Sequence, residues 1–141
     1  MLISTKGRYA LRVMLDLAQS EEEGYISLKD IAQRQGISLK YLEMVVGILT
    51  RGGLVVSQRG KCGGYCLAHP ASEYTVGEIL RLTEGTLAPV NCLSTSVNHC
   101  KRANVCQTLP LWQGLHQVVE NYLNGITLQD ILDGKVQVPE R

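Results

Sequence analysis

The chain has 141 residues, of which 45% are hydrophobic and 19% charged, a composition that excludes a disordered protein and fits one compact domain with an added helix. The net charge of +1 hides an uneven distribution of charged residues, because residues 29–61 hold six cationic and two anionic side chains. Such a local excess of positive charge is typical of a phosphate-binding surface. Arg8, Arg12 and Asp16 interrupt the apolar N-terminal stretch and no run reaches the ~18 apolar residues of a membrane span, so we expect a cytoplasmic protein without membrane contact.

Hydrophobic periodicity predicts a first helix over residues 4–20, with Ser4 or Thr5 as its cap. Its apolar positions are Ala10, Leu11, Met14, Leu15 and Ala18. Ser27 opens a second helix, with Asp30 three residues later in a capping-box-like position. The expected buried face of this second helix comprises Leu28, Ile31 and Ala32.

A third helix follows the break at Gly36 and is capped by Ser38. Its apolar residues recur at i, i+3, i+4 and i+7, and they are Leu42, Val45, Val46 and Leu49. Two short helices joined by a glycine-containing turn are typical of a helix-turn-helix.

A basic hairpin is predicted directly after the third helix. Residues 54–57 and 65–68 are the expected strands, and the tip between them reads Arg59-Gly60-Lys61-Cys62-Gly63-Gly64. A glycine-rich, basic tip in this position indicates the wing of a winged helix-turn-helix, because glycine lets backbone approach a phosphate or groove closely. We expect Cys62 to be an exposed thiol at the tip and Cys66 to alternate into the core.

The second half contains three predicted helices and one long loop. Thr75 caps a short helix through about Thr83, and residues 85–108 show no period. Pro110 suits the first turn of a long helix that Gly125 ends, and Thr127 with Asp130 caps a final short helix. The long helix carries a wide apolar stripe, which we assign to a dimer seam although plain core is an equally good reading: Leu111, Trp112, Leu115, Val118, Val119 and Tyr122.

The expected fold is therefore mainly α with a small β-wing. Residues 1–84 form a winged helix-turn-helix DNA-binding domain, and residues 85–108 form a cysteine loop. Residues 109–134 form the dimerisation helix and C-terminal helix, and residues 135–141 form a tail.

Residues for DNA reading follow from this architecture. A recognition helix enters the major groove with its N-terminal residues near base edges, and arginine suits the narrow minor groove. The expected DNA-binding residues are Ser38, Lys40, Tyr41, Glu43, Met44, Arg51, Arg59, Gly60 and Lys61. Glu43 either accepts from a cytosine amino group, or is a solvated helix residue, or pairs with Lys40. Further phosphate-positioning candidates are Arg34, Lys6 and Arg8.

Three of the five cysteines stand in the long loop, as Cys92, Cys100 and Cys106. Clustered cysteines in a cytosolic chain are more often metal-binding or redox-active than disulfide-bonded, and the spacing fits no zinc ribbon. The pattern by itself predicts a metal or redox site, with three reduced cysteines that simply pack the loop as the alternative.

At this point the chain resembles a known family, the IscR/NsrR-type winged-helix transcription regulators. The resemblance covers essentially the whole length and rests on MLISTKGRYALRVMLDLA, ISLKDIAQRQGISLKYLEMVVGILTRGGLVVSQRG, the GGY of the wing, VGEIL, the three-cysteine loop, the LW at 111–112 and NGITLQDIL. It implies a homodimer in which Cys92, Cys100 and Cys106 hold an iron–sulfur cluster whose state alters binding to a palindromic DNA operator, with no RNA partner.

Departures from the family concern the fourth cluster ligand. The IscR branch has a histidine where this chain has Leu109, and the NsrR branch an acidic residue where this chain has Arg8. His99 is the local candidate, and a small external ligand is equally plausible. We favour a 4Fe–4S over a 2Fe–2S cluster, which aerobic preparation can remove.

Two alternatives remain open. One is a cluster-free repressor controlled by thiol redox state or by a partner protein, like the CymR branch of the family. The other is a cluster-carrying assembly or redox protein that uses its helix-turn-helix for protein contacts. We expect no enzyme, because the sequence shows no nucleotide loop, nucleophile–base constellation or acid–base pair.

Overall fold

The structure is a computed structural model that describes residues 2–141. The helices are α1 (Thr5–Gln19), α2 (Leu28–Gln35), α3 (Leu39–Arg51), α4 (Val76–Glu84), α5 (Leu109–Asn124) and α6 (Leu128–Leu132). The strands β1 (Val55–Gln58) and β2 (Gly64–Leu67) pair antiparallel between α3 and α4. The expected class, mainly α with a small β-wing, is confirmed. Within residues 2–141, no helix has the length and apolar character to span a membrane.

The helices begin at the residues whose side chains cap them. Ser4 accepts a hydrogen bond from the Gly7 N–H at 3.1 Å, and Ser27 accepts from the Asp30 N–H at 3.2 Å. The last helix has a complete capping box, in which the side chains and N–H groups of Thr127 and Asp130 bond reciprocally at 3.0 and 2.9 Å. Each bond satisfies an N–H group that the first helical turn leaves unpaired, so local chemistry fixes these helix starts.

The main core lies between α1, α2 and α3, and α6 completes it. The predicted stripe of α3 is buried, with Leu42, Val45 and Leu49 at 0% exposure. Leu128 of α6 is also fully buried in this cluster. Backbone hydrogen bonds of 2.8 Å (Val76 N to Ile126 O) and 3.0 Å (Leu128 N to Tyr74 O) tie the segment before α6 to the start of α4. The C-terminal helix is therefore packed into the same core as the helix-turn-helix.

The wing strands lie one residue from where the sequence placed them. Leu54 is 7% exposed and its N–H bonds to the Leu49 carbonyl, so it closes the end of α3 instead of starting a strand. At the other end, Gln58 pairs with Gly64, which extends the ladder towards the tip. Ile26 also exchanges two backbone hydrogen bonds of 2.8 Å with Tyr65, so the segment before α2 binds the wing.

The expectation that Cys66 points into the core is wrong. Cys66 pairs with Val56, which is 40% exposed, whereas its neighbours Tyr65 and Leu67 pack against the main core. Successive side chains of a strand point to opposite faces, so Cys66 lies half-buried on the outer face of the wing. Cys62 is exposed at the tip, as expected.

Candidate DNA interface and cysteine loop

The turn between α2 and α3 sets where α3 begins. Gly36 ends α2 in the left-handed region, with φ 64° and ψ 34°, a conformation that costs an L side chain ~1 kcal/mol. Ile37 is buried and its N–H bonds to the Ala32 carbonyl at 3.2 Å. Ser38 then caps α3 by accepting from the Tyr41 N–H at 3.2 Å. The turn thereby holds the N-terminus of α3 at the protein surface.

One face of α3 is free of the core, and we call it the reading face. Its members follow helical spacing and comprise Lys40, Glu43, Met44, Gly47 and Arg51. The four side chains are exposed, and Gly47 leaves a gap in the middle that the guanidinium of Arg51 borders, with Nη1 3.3 Å from where a Cβ would stand. Sequence reasoning missed Gly47, although a helix-internal glycine costs ~1 kcal/mol and indicates a close approach.

Tyr41 forms the flank of the reading face and is held in place by α1. Its ring meets the Tyr9 ring edge-on, with centroids 5.5 Å apart and planes at 87°. The guanidinium of Arg12 lies over Tyr9 at 5.2 Å, which is a cation–π arrangement. Arg12 also donates to the side chain and the backbone carbonyl of Gln35 on α2. These contacts connect α1, α2 and α3 beside the surface, and no periodicity in the sequence indicated them.

The basic tip of the wing extends from a hairpin whose base is anchored to the segment before α2. Arg59, Gly60, Lys61 and Cys62 are exposed there. At the base of the tip, a Cβ on Gly64 would come 2.2 Å from the carbonyl oxygen of Ile26, so only glycine allows the wing to approach the start of α2 this closely. The structure therefore joins the wing to the helix-turn-helix through backbone contacts.

Arg34, a candidate for phosphate contact, is paired with a carboxylate of its own chain, and 43% of its side chain stays exposed. Its Nη2 and Nε atoms donate to the two carboxylate oxygens of Asp16, at 2.6 and 3.1 Å. Asp16 is 4% exposed, so the pair serves to satisfy a buried carboxylate. Arg8 and Arg51 remain exposed cations, and Lys6 is half-buried.

The cysteine loop brings two of its three thiols to one cavity. Cys92, His99 and Cys100 line a depression of about 460 Å³ together with Asn91, Ser94 and Thr95. Cys106 lies in a separate depression formed with Arg102, Val105, Gln107 and Thr108. Among residues 2–141, no three histidine, cysteine or acidic side chains come together as a metal site.

Cys106 has the surroundings of a readily ionised thiol. Its Sγ lies 3.5 Å from the Thr108 hydroxyl, and this hydrogen bond lowers the pKa of the Cys106 thiol, helped by backbone N–H groups of Thr108 and Leu109 and by the charge of Arg102. The thiolate is the form of cysteine that binds metals and attacks disulfides.

Helix α5 carries an apolar stripe that the rest of the chain leaves uncovered. Leu111, Leu115, Val118 and Tyr122 are 61%, 40%, 65% and 56% exposed, whereas Trp112 and Val119 are half-buried. We call the four exposed residues the α5 stripe. Arg81 of α4 holds the other side of α5, with Nη1 2.9 Å from Glu120 Oε2 and 2.8 Å from Asn124 Oδ1.

Comparison with known proteins places this geometry among transcription regulators. Residues 3–134 match the Rrf2 family, described as iron-dependent transcriptional regulators. The HTH-type transcriptional regulator IscR of Serratia proteamaculans is 38% identical over 135 residues, which are 96% of this chain and 81% of that protein.

Two solved structures share the fold over nearly the whole chain. CymR, the global cysteine regulator of B. subtilis, superposes with a TM-score of 0.77 at 38% identity, covering 97% of this chain and 99% of that one. T. potens IscR superposes with a TM-score of 0.76 at 36% identity, covering 100% of this chain and 94% of that one.

Proposed function

We propose that this chain, which belongs to the Rrf2 family of transcriptional regulators, is a homodimeric repressor whose binding to a palindromic DNA operator is switched by an iron–sulfur cluster. Family members regulate transcription and are not enzymes. The proposed cellular site is the cytoplasm, where a bacterial operator lies. The observation that carries the proposal is the exposed reading face of α3, together with an exposed basic wing tip.

DNA reading divides between these two elements. An α-helix fits the major groove, where base edges carry distinct donor and acceptor patterns, so we assign base contacts to Lys40, Glu43 and Met44. The gap at Gly47 lets the middle of the helix approach the groove floor. Arg59 at the wing tip reaches an adjacent minor groove, where negative potential favours arginine. The remaining proposed contacts, to phosphate or at the helix start, come from Ser38, Tyr41, Arg51, Gly60 and Lys61.

The α5 stripe is the proposed dimer seam. Four large apolar side chains at 40–65% exposure on one side of a helix form a surface that a second copy can cover. Arg81 fixes the opposite side of α5 to the DNA-binding head, so pairing two α5 helices also sets the separation of the two heads. A palindromic operator is the matching DNA.

The cysteine loop has the donor chemistry that an iron–sulfur cluster requires. Cys92 and Cys100 share a cavity with His99, and the lowered pKa of Cys106 favours its thiolate. Because Cys106 lies outside that cavity, holding one cluster with all three thiolates requires the loop to close around them. His99 or a small external ligand is the proposed fourth ligand. When bound, the cluster would be the signal-sensitive group, because iron shortage, nitric oxide or oxidants can remove it.

The position of the loop supports a route by which its state would reach the DNA. It runs from the end of α4, which packs on the head, to the start of α5, which carries the stripe. Leu87 is 2% exposed and anchors the loop to the side of α4. A loop that closes or opens therefore biases the angle of α5 against the head, a two-state element that changes the spacing of two recognition helices.

Oxygen-free preparation tests the cluster and the switch together. Iron, acid-labile sulfide and the visible absorption spectrum are measured, and operator affinity is compared between the wild type and Cys100→Ser. Cys62→Ser is the matched control, because it removes a thiol at the wing tip and leaves the loop intact. We expect the loop variant alone to lose iron and to change affinity; equal affinity would remove the cluster from the switch.

A CymR-type regulator without a cluster is the second candidate. Two observations favour it. Cys106 lies in a different depression from the one that Cys92 and Cys100 share, and the chain is similar to CymR. A colourless oxygen-free preparation that lacks iron and sulfide, yet binds its operator and responds to a thiol oxidant or a partner protein, selects this candidate.

A further inference from the structure

A shallow apolar cavity opens on the reading side of α3. It has a volume of about 350 Å³ and is lined by Ser38, Lys40, Tyr41 and Met44. Met44 is 42% exposed, on a face whose other side chains are all charged. Met44 is therefore the one apolar side chain of the reading face, and it borders an open cavity that a small apolar group of a partner can enter.

The two apolar walls of the cavity differ in stiffness. Tyr41 packs against the main core and meets the Tyr9 ring edge-on at 5.5 Å, so this wall is held by α1. Met44 follows one helical turn later and has three rotatable bonds, so the opposite wall can adjust to its occupant. Lys40 and the hydroxyl of Ser38 form a polar rim. A rigid aromatic wall, an adaptable wall and a donor-bearing rim suit a methyl group beside a hydrogen-bond acceptor.

We propose that this cavity receives the C5-methyl group of a thymine in each half-site of the operator. The proposal rests on the major-groove placement of α3 given above. The thymine methyl is the one apolar group that base pairs display in the major groove, and the O4 acceptor lies next to it. Lys40 and Ser38 donate to such an acceptor. Lys40, which has donors only, meets an amino donor if cytosine takes the same position, so the cavity selects thymine.

The size of the effect follows from the burial of one methyl group. Removing such a group from water stabilises a complex by ~0.8 kcal/mol, which corresponds to about fourfold in affinity for each thymine. This contribution is specific to sequence, unlike the phosphate contacts of Arg51 and Lys61, which strengthen binding to any duplex.

Deoxyuracil substitution isolates the methyl group. Duplexes that bind the full-length protein are selected from a random pool, and each thymine of the selected site is then replaced by deoxyuracil, which keeps O4 and the pairing with adenine. At one thymine of each half-site we expect the replacement to weaken binding by the wild type about fourfold. In Met44→Ala the same replacement changes affinity by less than about 1.5-fold.

Two control variants separate the methyl contact from general effects. Met44→Leu keeps an apolar wall of similar size and retains the preference for thymine over uracil. Lys40→Ala weakens binding to both duplexes and leaves their ratio unchanged, because both bases carry O4. Met44 is exposed, so circular dichroism of Met44→Ala should match the wild type.

The outcomes distinguish this proposal from the function on which it rests. The methyl cavity is overturned if the protein binds a specific sequence but no thymine methyl group affects affinity. It is also overturned if the methyl effect persists in Met44→Ala. In both cases the DNA-reading proposal still stands. The absence of any sequence preference in duplex binding overturns both.

Discussion

Arg34 on the last turn of α2 holds the buried carboxylate of Asp16 on α1 with two hydrogen bonds, Nη2 to Oδ1 at 2.6 Å and Nε to Oδ2 at 3.1 Å. Gln35 adds a third bond from its Nε2 at 2.8 Å. The carboxylate raises the pKa of the Arg34 guanidinium, as expected for a paired cation. The pair fixes α2, and through the following turn α3, against the first helix.

Replacing Arg34 tests whether this pair is structural. Arg34→Ala leaves the Asp16 carboxylate buried with Gln35 as its remaining partner, and we expect the free energy of unfolding to fall by about 2 kcal/mol, since the partly exposed cation lies in a screened environment. Urea unfolding measures this change. Lys29→Ala, an exposed cation on the same helix, should cost less than about 0.5 kcal/mol. If Arg34 contacts phosphate instead, Arg34→Ala lowers the salt dependence of operator binding by about one ion.

Tyr74 gives a pH dependence with a defined sign. Its hydroxyl donates to the Leu54 carbonyl at 2.7 Å and accepts from the His69 N–H at 2.9 Å, and burial raises its pKa above the ordinary value of 10.0. The pKa of Tyr74 is therefore higher in the folded than in the unfolded protein. The stabilisation that its hydroxyl contributes is present below pH 10 and is lost as the pH rises through the folded-state pKa.

Tyr74→Phe should therefore lower the free energy of unfolding by about 1–3 kcal/mol near neutral pH, since the His69 N–H loses its partner and the Leu54 carbonyl keeps only the Ala68 N–H. The gap to the wild type should narrow above pH 10. Urea unfolding between neutral pH and pH 11 measures both effects, and Tyr25→Phe, at a residue 37% exposed, should show neither. A gap that widens with pH contradicts this assignment.

The wing tip should contribute to sequence-specific binding. Arg59→Ala is expected to weaken operator binding by about 1–3 kcal/mol, because it removes the arginine that we propose for the narrow minor groove. Lys135→Ala, an exposed cation far along the chain, is the control and should change affinity little. Fluorescence anisotropy with a selected duplex measures the affinity of both variants. If both lose the same affinity, Arg59 contributes only its charge and makes no specific minor-groove contact.

A charge within the α5 stripe should separate the dimer. Leu115→Glu puts two carboxylates at the proposed symmetric seam, so sedimentation velocity should show a monomer, and operator affinity should fall at least about 100-fold with the loss of bivalency. Gln113→Glu adds the same charge on another side of the same exposed helix and should remain dimeric. A dimeric Leu115→Glu protein means that the stripe is not the seam.

What the sequence could and could not predict follows from the range of the interactions. Ser4, Ser27 and Ser38 were assignable as caps because each bonds within its own first turn. The face of the wing on which Cys66 lies could not be assigned from the sequence, because a shift of one residue in the register of a short strand moves every side chain to the opposite face.

Interactions distant in sequence were harder still to foresee. The pairing of Asp16 with Arg34 joins residues 18 positions apart, and no local pattern indicates it. Nor does a loop without periodicity reveal that Cys106 stands apart from Cys92 and Cys100.

The central claim is that two heads, held at one separation by paired α5 helices, read two half-sites of a duplex. It is tested most directly by measuring affinity and stoichiometry on operators whose half-site spacing is lengthened one base pair at a time through one helical turn. We predict two chains per duplex and a single optimal spacing, with about five inserted base pairs reducing affinity to the non-specific level because the half-sites then face opposite sides. One chain per duplex, or affinity that does not depend on spacing, contradicts the account.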